Sequence, residues 1–272
     1  MSVTPSVLSE SAIVTRLRAA GCVFAEDEAQ LLISAAPDPA GLDAMVERRV
    51  LGLPLEHVLG WAEFCGLRVA VDPQVFVPRI RTEFLVGQAA ELARALGPGR
   101  RSPAVVVDLC CGSGALGAAL AAAVGRVELH AADIDPAAVS CARRNIGAAG
   151  AVYEGDLYEP LPAALRGRVD ILLANAPYVP TDAIGLLPPE ARIHEARVAL
   201  DGGADGLDIQ RRVAAEATRW LAPGGHLLVE TSDRQAPLTV DAFTRHGLIP
   251  RLVTCDDLDA TVVIGTRPTA AG

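Results

Sequence analysis

The sequence predicts an α/β protein: a doubly wound, seven-stranded sheet with an antiparallel last strand, preceded by a small N-terminal helical domain and a β-hairpin linker. Three observations carry this. After Pro103, short apolar runs alternate with stretches of helical periodicity, as strands buried between crossover helices do. Ahead of Leu53 the period is helical throughout, and between Pro54 and Pro78 it changes to alternation. The last two apolar runs are joined only by Cys255-Asp256-Asp257-Leu258-Asp259, too short a link for a parallel crossover.

Composition bounds the function. With 272 residues, 51% of them hydrophobic, the chain can bury one large core and a smaller one without metal or disulfide support. A net charge of −9 offers no extended basic surface to a phosphate backbone, so no directly bound nucleic acid is expected. No apolar run reaches the ~20 residues of a membrane span, and Met1 to Arg18 lacks a basic start with an apolar block behind it. A cytoplasmic protein with no membrane partner is expected. Cys22, Cys65, Cys110, Cys111, Cys141 and Cys255 show neither a CxxC pair nor a histidine at zinc spacing, so reduced core thiols and no metal are expected.

Residues 1–53 carry three apolar stripes: Leu8, Ile13 and Leu17; Ala29, Leu32 and Ala35; and Leu42, Met45, Val46 and Val50, starting from Val7. They predict a helical partner-binding domain with an acidic outer face at Glu26, Asp27 and Glu28. Residues 54–78 predict the hairpin linker, with Phe64, Leu67, Val69 and Val71 alternating, Asp72-Pro73 turning and Val75, Phe76 and Val77 returning. In residues 79–272, Thr82 is placed to cap a helix with Leu85, Ala89, Leu92 and Leu96 on one face. Gly97-Pro98-Gly99 ends it, and Arg100-Arg101-Ser102-Pro103 leads into the sheet. Strands are expected at 104–109, 127–134, near Val152, and at 169–174, 226–230, 248–254 and 260–266. Helices are expected at 115–124, 136–146, 207–220 and 240–247, and Pro223-Gly224-Gly225 reads as a turn.

Ligands of an open α/β sheet bind at the carboxyl ends of its strands. Asn175-Ala176-Pro177-Tyr178 leaves such an end, behind the run Val169 to Ala174, and combines an amide, a turn and an aromatic ring. It reads as a clamp for a flat polar group. Asp108-Leu109-Cys110-Cys111-Gly112-Ser113-Gly114 leaves another; its glycines let a ligand approach the backbone and the next helix offers free N–H groups. The stretch also satisfies GxGxxG, so a nicotinamide cofactor is an alternative. Asp133 stands where an acid takes a ribose hydroxyl pair, which suits either NAD or an adenosyl cofactor. Asp108 ahead of the glycines could meet a cationic amino group, and Gly155-Asp156-Leu157 could receive an adenine edge. Both favour the second.

These motifs resemble the S-adenosylmethionine-dependent N5-glutamine methyltransferases that modify peptide-chain release factors. Asp108-Leu109-x-x-Gly112-Ser113-Gly114, Asp133-Ile134-Asp135-Pro136 and Asn175-x-Pro177-Tyr178 carry the resemblance. Pro54 to Gly60, Gly66 to Pro73, Pro78-Arg79-x-x-Thr82-Glu83 and Glu195 to Asp208 extend it over nearly the whole chain. It implies a Rossmann-like class I methyltransferase fold and S-adenosyl-L-methionine as cofactor. It further implies that Cys110, Cys111, Gly112, Ser113 and Gly114 wrap the methionine part, Asp133 binds the ribose, Ile134 and Leu157 flank the adenine, and Asn175 lies between cofactor and substrate. The partner it implies is a protein carrying a glutamine, a release factor. Three residues depart from the family pattern: Cys110 replaces a glycine, Ala176 a proline, and Ile80-Arg81 a proline and an acid.

The chemistry fits a poor nucleophile. A glutamine amide delocalises its nitrogen lone pair into the carbonyl, and two acceptors holding both N–H protons would orient it for in-line attack on a sulfonium methyl. The Asn175 side-chain oxygen and the Ala176 carbonyl can form that pair, while Tyr178 covers the amide plane. The same clamp suits any planar NH2 group, so an amino methyltransferase acting on adenine or a small molecule is an alternative, as is a cofactor-binding protein that has lost catalysis.

Overall fold

Ile13 and Leu17, one turn apart and fully buried, anchor α1 (Glu10–Ala19) to α2 (Ala25–Ala35) and α3 (Pro39–Val50). The computed structural model describes residues 9–97 and 102–269; Val7, Leu8, Pro98, Gly99, Arg100 and Arg101 lie outside them. Ser9 and Asp38 cap α1 and α3, accepting from the N–H groups of Ala12 and Gly41. With α4 (Leu55–Leu59) these helices enclose a core of their own around Leu32, Val46 and Val58. Glu28 corrects the expected acidic outer face. It is buried because Arg49 binds it twice, at 2.6 and 3.0 Å, and Arg49 also reaches the Leu53 carbonyl at 3.0 Å and Glu190 at 2.5 Å.

The hairpin turns earlier than expected. β1 (Trp61–Phe64) and β2 (Leu67–Ala70) pair antiparallel about Cys65-Gly66, both at positive φ, as a two-residue hairpin loop requires. Asp72-Pro73 is therefore not the hairpin turn, and 75–77 form no strand; Val71, Val75 and Val77 instead bury against Ala62 and Cys141. Thr82 does not cap α5 (Glu83–Ala95). Its backbone is already helical (φ −69, ψ −14), ending a 3-10 turn from Ile80, whereas a capping side chain needs an extended residue.

Beyond residue 102 the order is β3 (Ala104–Leu109), α6 (Ala115–Val124), β4 (Val127–Asp133), α7 (Pro136–Ile146), β5 (Gly150–Glu154) and β6 (Val169–Ala174). Then follow α8 (Pro189–His194), α9 (Asp208–Trp220), β7 (Leu221–Thr231), α10 (Ala236–Arg245), β8 (Ile249–Cys255) and β9 (Ala260–Thr266). The seven strands lie in the order β5-β4-β3-β6-β7-β9-β8. β9 runs antiparallel to both its neighbours, as the short link ahead of it demands. Pro223-Gly224-Gly225 is absorbed into β7, where the register against β6 shifts between Val169 and Ile171, rather than forming a separate turn.

β3 and β6 are buried at every position, between an apolar layer that includes α5, α6 and α7 and another that includes α9 and α10. The chain winds outward from β3 through β4 to β5, then returns to β6 and winds the other way. The crevice of a doubly wound sheet opens at this reversal. Leu109 pairs with Ala174 across it, so the glycine loop and Asn175 leave the sheet side by side.

Candidate active site

Cys110 begins the glycine loop in the left-handed region (φ 54), a conformation that costs a residue with a Cβ about 1–2 kcal/mol. The Cys111 N–H donates to the Ala132 carbonyl at 3.1 Å and ties the loop to β4. Gly114 (φ 76) starts α6; a Cβ there would stand 3.0 Å from that of Ala142. Gly117 allows the first turn of α6 to reach β3, its N–H donating to Asp108 Oδ2 at 2.9 Å. The third glycine of the GxGxxG pattern thus serves helix-on-strand packing, not ligand approach.

A cavity of about 550 Å³ opens over these strand ends. Cys110, Cys111, Gly112, Ser113, Asp133, Ile134, Asp156 and Leu157 line one side, and Asn175, Ala176, Pro177 and Tyr178 another. Gly114 and Asp108 do not line it. Asp108 is buried beneath the loop with one oxygen unpartnered, and burial pushes its carboxyl up to about 7. Asp133 is raised as well by burial, against which it accepts from the backbone N–H groups of Asp135 (2.9 Å) and Gly112 (2.8 Å). Asp156 pairs with Arg212 at 2.7 Å.

Among the described residues the Asn175 side chain has no hydrogen-bond partner and no group donates to the Ala176 carbonyl. Two acceptors thus stand unclaimed at one wall. Tyr178 beside them is fixed at both ends. Its hydroxyl accepts from Arg81 Nη2 at 2.7 Å and donates to Glu230 Oε1 at 3.2 Å, and burial, followed by the Glu230 carboxylate, pushes it up to about 12. At the backbone, its carbonyl accepts from Gln235 Nε2 at 2.9 Å, and at the next residue Val179 N–H donates to the Leu200 carbonyl at 3.1 Å and Gly202 N–H to the Val179 carbonyl at 2.9 Å. A Cβ at Gly202 would fall 2.7 Å from the Pro177 carbonyl, so the glycine-rich loop from Leu200 to Asp208 packs directly against residues 177–179.

Sequence reasoning missed Glu230 and Gln235, both hydrogen-bonded to Tyr178. The available signal was a polar run, Glu230-Thr231-Ser232, at the carboxyl end of an apolar strand. It also missed Phe76, Arg79, Leu187, Pro188 and Glu190, which line the same cavity. All six cysteines are free, but only Cys111 and Cys141 are fully buried; Cys22, Cys65, Cys110 and Cys255 are partly exposed, so the expectation of six core thiols is corrected.

The family model described as the methyltransferase small domain matches residues 92–205. A release factor glutamine methyltransferase of Geobacter sulfurreducens is 37% identical over 233 residues, spanning 84% of this chain and 78% of that protein. This chain belongs to the release factor glutamine methyltransferase family. A 4-amino-L-phenylalanine/4-methylamino-L-phenylalanine methyltransferase of Streptomyces pristinaespiralis is 35% identical over 256 residues, 92% of this chain and 86% of that one. The fold of the family recurs in the crystal structure of a methyltransferase from Pyrococcus furiosus (TM-score 0.52, 16% identity, 75% of this chain and 90% of that chain). Among the described residues no helix is long and apolar enough to cross a membrane, and no three potential metal ligands cluster.

Proposed function

We propose that this chain transfers a methyl group from S-adenosylmethionine to the side-chain amide nitrogen of a glutamine in a protein, a peptide-chain release factor. The observation that carries this is the pair of unclaimed acceptors, Asn175 Oδ1 and the Ala176 carbonyl, sharing one cavity with the glycine loop.

The residues present fit the cofactor. Asp133 is acceptor-only when ionised and suits the hydroxyl pair of a ribose. Asp133 and Asp156 line the cavity beside the loop, and acidic groups there disfavour a pyrophosphate and suit a ligand carrying positive charge. When bound, S-adenosylmethionine supplies an electrophilic methyl group on a cationic sulfur. Asn175 and Ala176 would accept both amide N–H bonds, turning the nitrogen lone pair outward from the clamp. Tyr178, immobilised at its hydroxyl, would cover the amide plane and exclude water. No base need act beforehand, because the methylated amide nitrogen can release its surplus proton afterwards.

Incubation with methyl-labelled S-adenosylmethionine and purified release factors tests this. Mass spectrometry should find the label on a glutamine side chain; label that never appears on a glutamine would overturn the assignment. The relative that covers 92% of this chain and is named for 4-amino-L-phenylalanine favours a second reading, an aromatic amine as acceptor, since the clamp fits any planar NH2. Including that amine in the assay separates the two. The cytoplasmic location expected from sequence goes with the release-factor reading.

A further inference from the structure

Arg81 lines the cavity beside Tyr178, and its bonding is incomplete. Nη2 donates to the Tyr178 hydroxyl at 2.7 Å, while Nε reaches the buried Glu230 carboxylate only at 3.4 Å. No partner occupies Nη1 among the described residues, and 44% of the side chain is exposed. Arg81 does not grip Glu230 with two parallel bonds, and the second Glu230 oxygen is buried without a donor. The guanidinium is therefore held from beneath by one edge with its other edge free. Arg79, two residues earlier, is held alike: Glu195 binds it at 2.5 Å and the Phe76 ring lies under it. Both arginines also line a second hollow of about 370 Å³, whose other charged residues are Glu56 and Asp259, so they stand between the cavity and an outer groove.

A free guanidinium edge on a braced side chain matches a planar carboxylate. We propose that Arg81 reads a carboxylate carried by the acceptor substrate, making methyl transfer selective for a planar NH2 group with a negative charge nearby. This rests on the acceptor lying at Asn175 and Ala176, as proposed above. On a protein the carboxylate is an acidic residue flanking the glutamine; on a small amino acid it is the α-carboxylate.

The test compares nonapeptides with one glutamine flanked by Glu, Ser or Lys, and 4-amino-L-phenylalanine with its carboxamide. Turnover is measured with S-adenosylmethionine, and binding with S-adenosylhomocysteine present. The wild type should favour the Glu peptide over the Ser peptide, or the free acid over the carboxamide, by about tenfold, equivalent to about 1.4 kcal/mol. Arg81→Gln should bring the ratio near one, and Arg81→Glu should turn the peptide preference toward Lys. A ratio within one enzyme is insensitive to how much of it is folded. Wild-type ratios within about twofold of one, ratios unchanged in both variants, or no binding and no turnover with either pair would overturn the proposal. Silent peptides with a discriminated arylamine pair would defeat the glutamine reading alone, and methylated peptides without charge preference would defeat the carboxylate alone.

Discussion

The side-chain amide of Gln235 donates to the main-chain carbonyls of Tyr178 at 2.9 Å and Asp205 at 3.0 Å. Ser232 holds its oxygen at 2.6 Å, so one side chain just past β7 joins Tyr178 to the loop packed against it. Gly206, at φ +78, lies in the same contact, and a Cβ there would overlap the Tyr178 carbonyl and the Gln235 amide. Gly206→Ala should destabilise the fold by about 1–3 kcal/mol through overpacking. It should also lower kcat more than cofactor affinity, as urea unfolding, steady-state kinetics and calorimetry would register. Unchanged turnover would mean that this loop does not position the clamp.

Asn175→Ala removes one of the two unclaimed acceptors without touching the glycine loop. By analogy with loss of one preorganised hydrogen-bonding group, kcat should fall about 10²–10³-fold, with S-adenosylmethionine affinity nearly unchanged by calorimetry. Ala176→Pro keeps the carbonyl, and the N–H it removes donates to no described group. Its activity should equal or exceed that of the wild type, and complete loss would show the clamp to be misplaced.

Arg49 should matter far from the chemistry. Replacing it by Met strands the buried Glu28 carboxylate and should cost about 3–5 kcal/mol in denaturant unfolding. Glu190→Gln, at the half-exposed end of the same network, should cost about 0–1 kcal/mol. A double variant, Glu28→Gln with Arg49→Met, should recover much of the first loss, and equal losses in single and double variants would contradict a stranded charge.

Asp108 makes stability depend on pH. Its folded value of about 7 stands above the ordinary 3.8, so between these the unfolded chain sheds a proton that the folded chain keeps. Stability from this group is therefore full below about pH 4, declines as pH rises, and is flat above about 7. Asp108→Asn removes the group, so the Tm of the variant relative to wild type should climb from pH 4 to 7. In a chain of this size each kcal/mol reads as roughly 2–4 °C. A difference independent of pH would place the Asp108 carboxyl at its ordinary value.

Periodicity and loop length alone determined the order of the seven strands beyond Pro103, because strands buried on both faces are continuous apolar runs that leave little else for residues 104–109 or 169–174 to be; they missed α8, the start of β7 at Leu221 and that of α10 at Ala236. The places of the glycine loop and of Asn175-Ala176-Pro177-Tyr178 were legible too, since each directly follows a continuous apolar strand. Local signals misled where a partner distant in sequence prevailed: Glu28 turned inward to Arg49, and Thr82 sat within a helical turn. Only the tertiary structure decided that Leu109 and Ala174 are neighbours, which brings the glycine loop and residues 175–178 into one cavity. It alone set Gln235, Glu230 and Arg81 around Tyr178, because hydrogen bonds spanning 52 to 97 residues leave no periodic trace in a sequence.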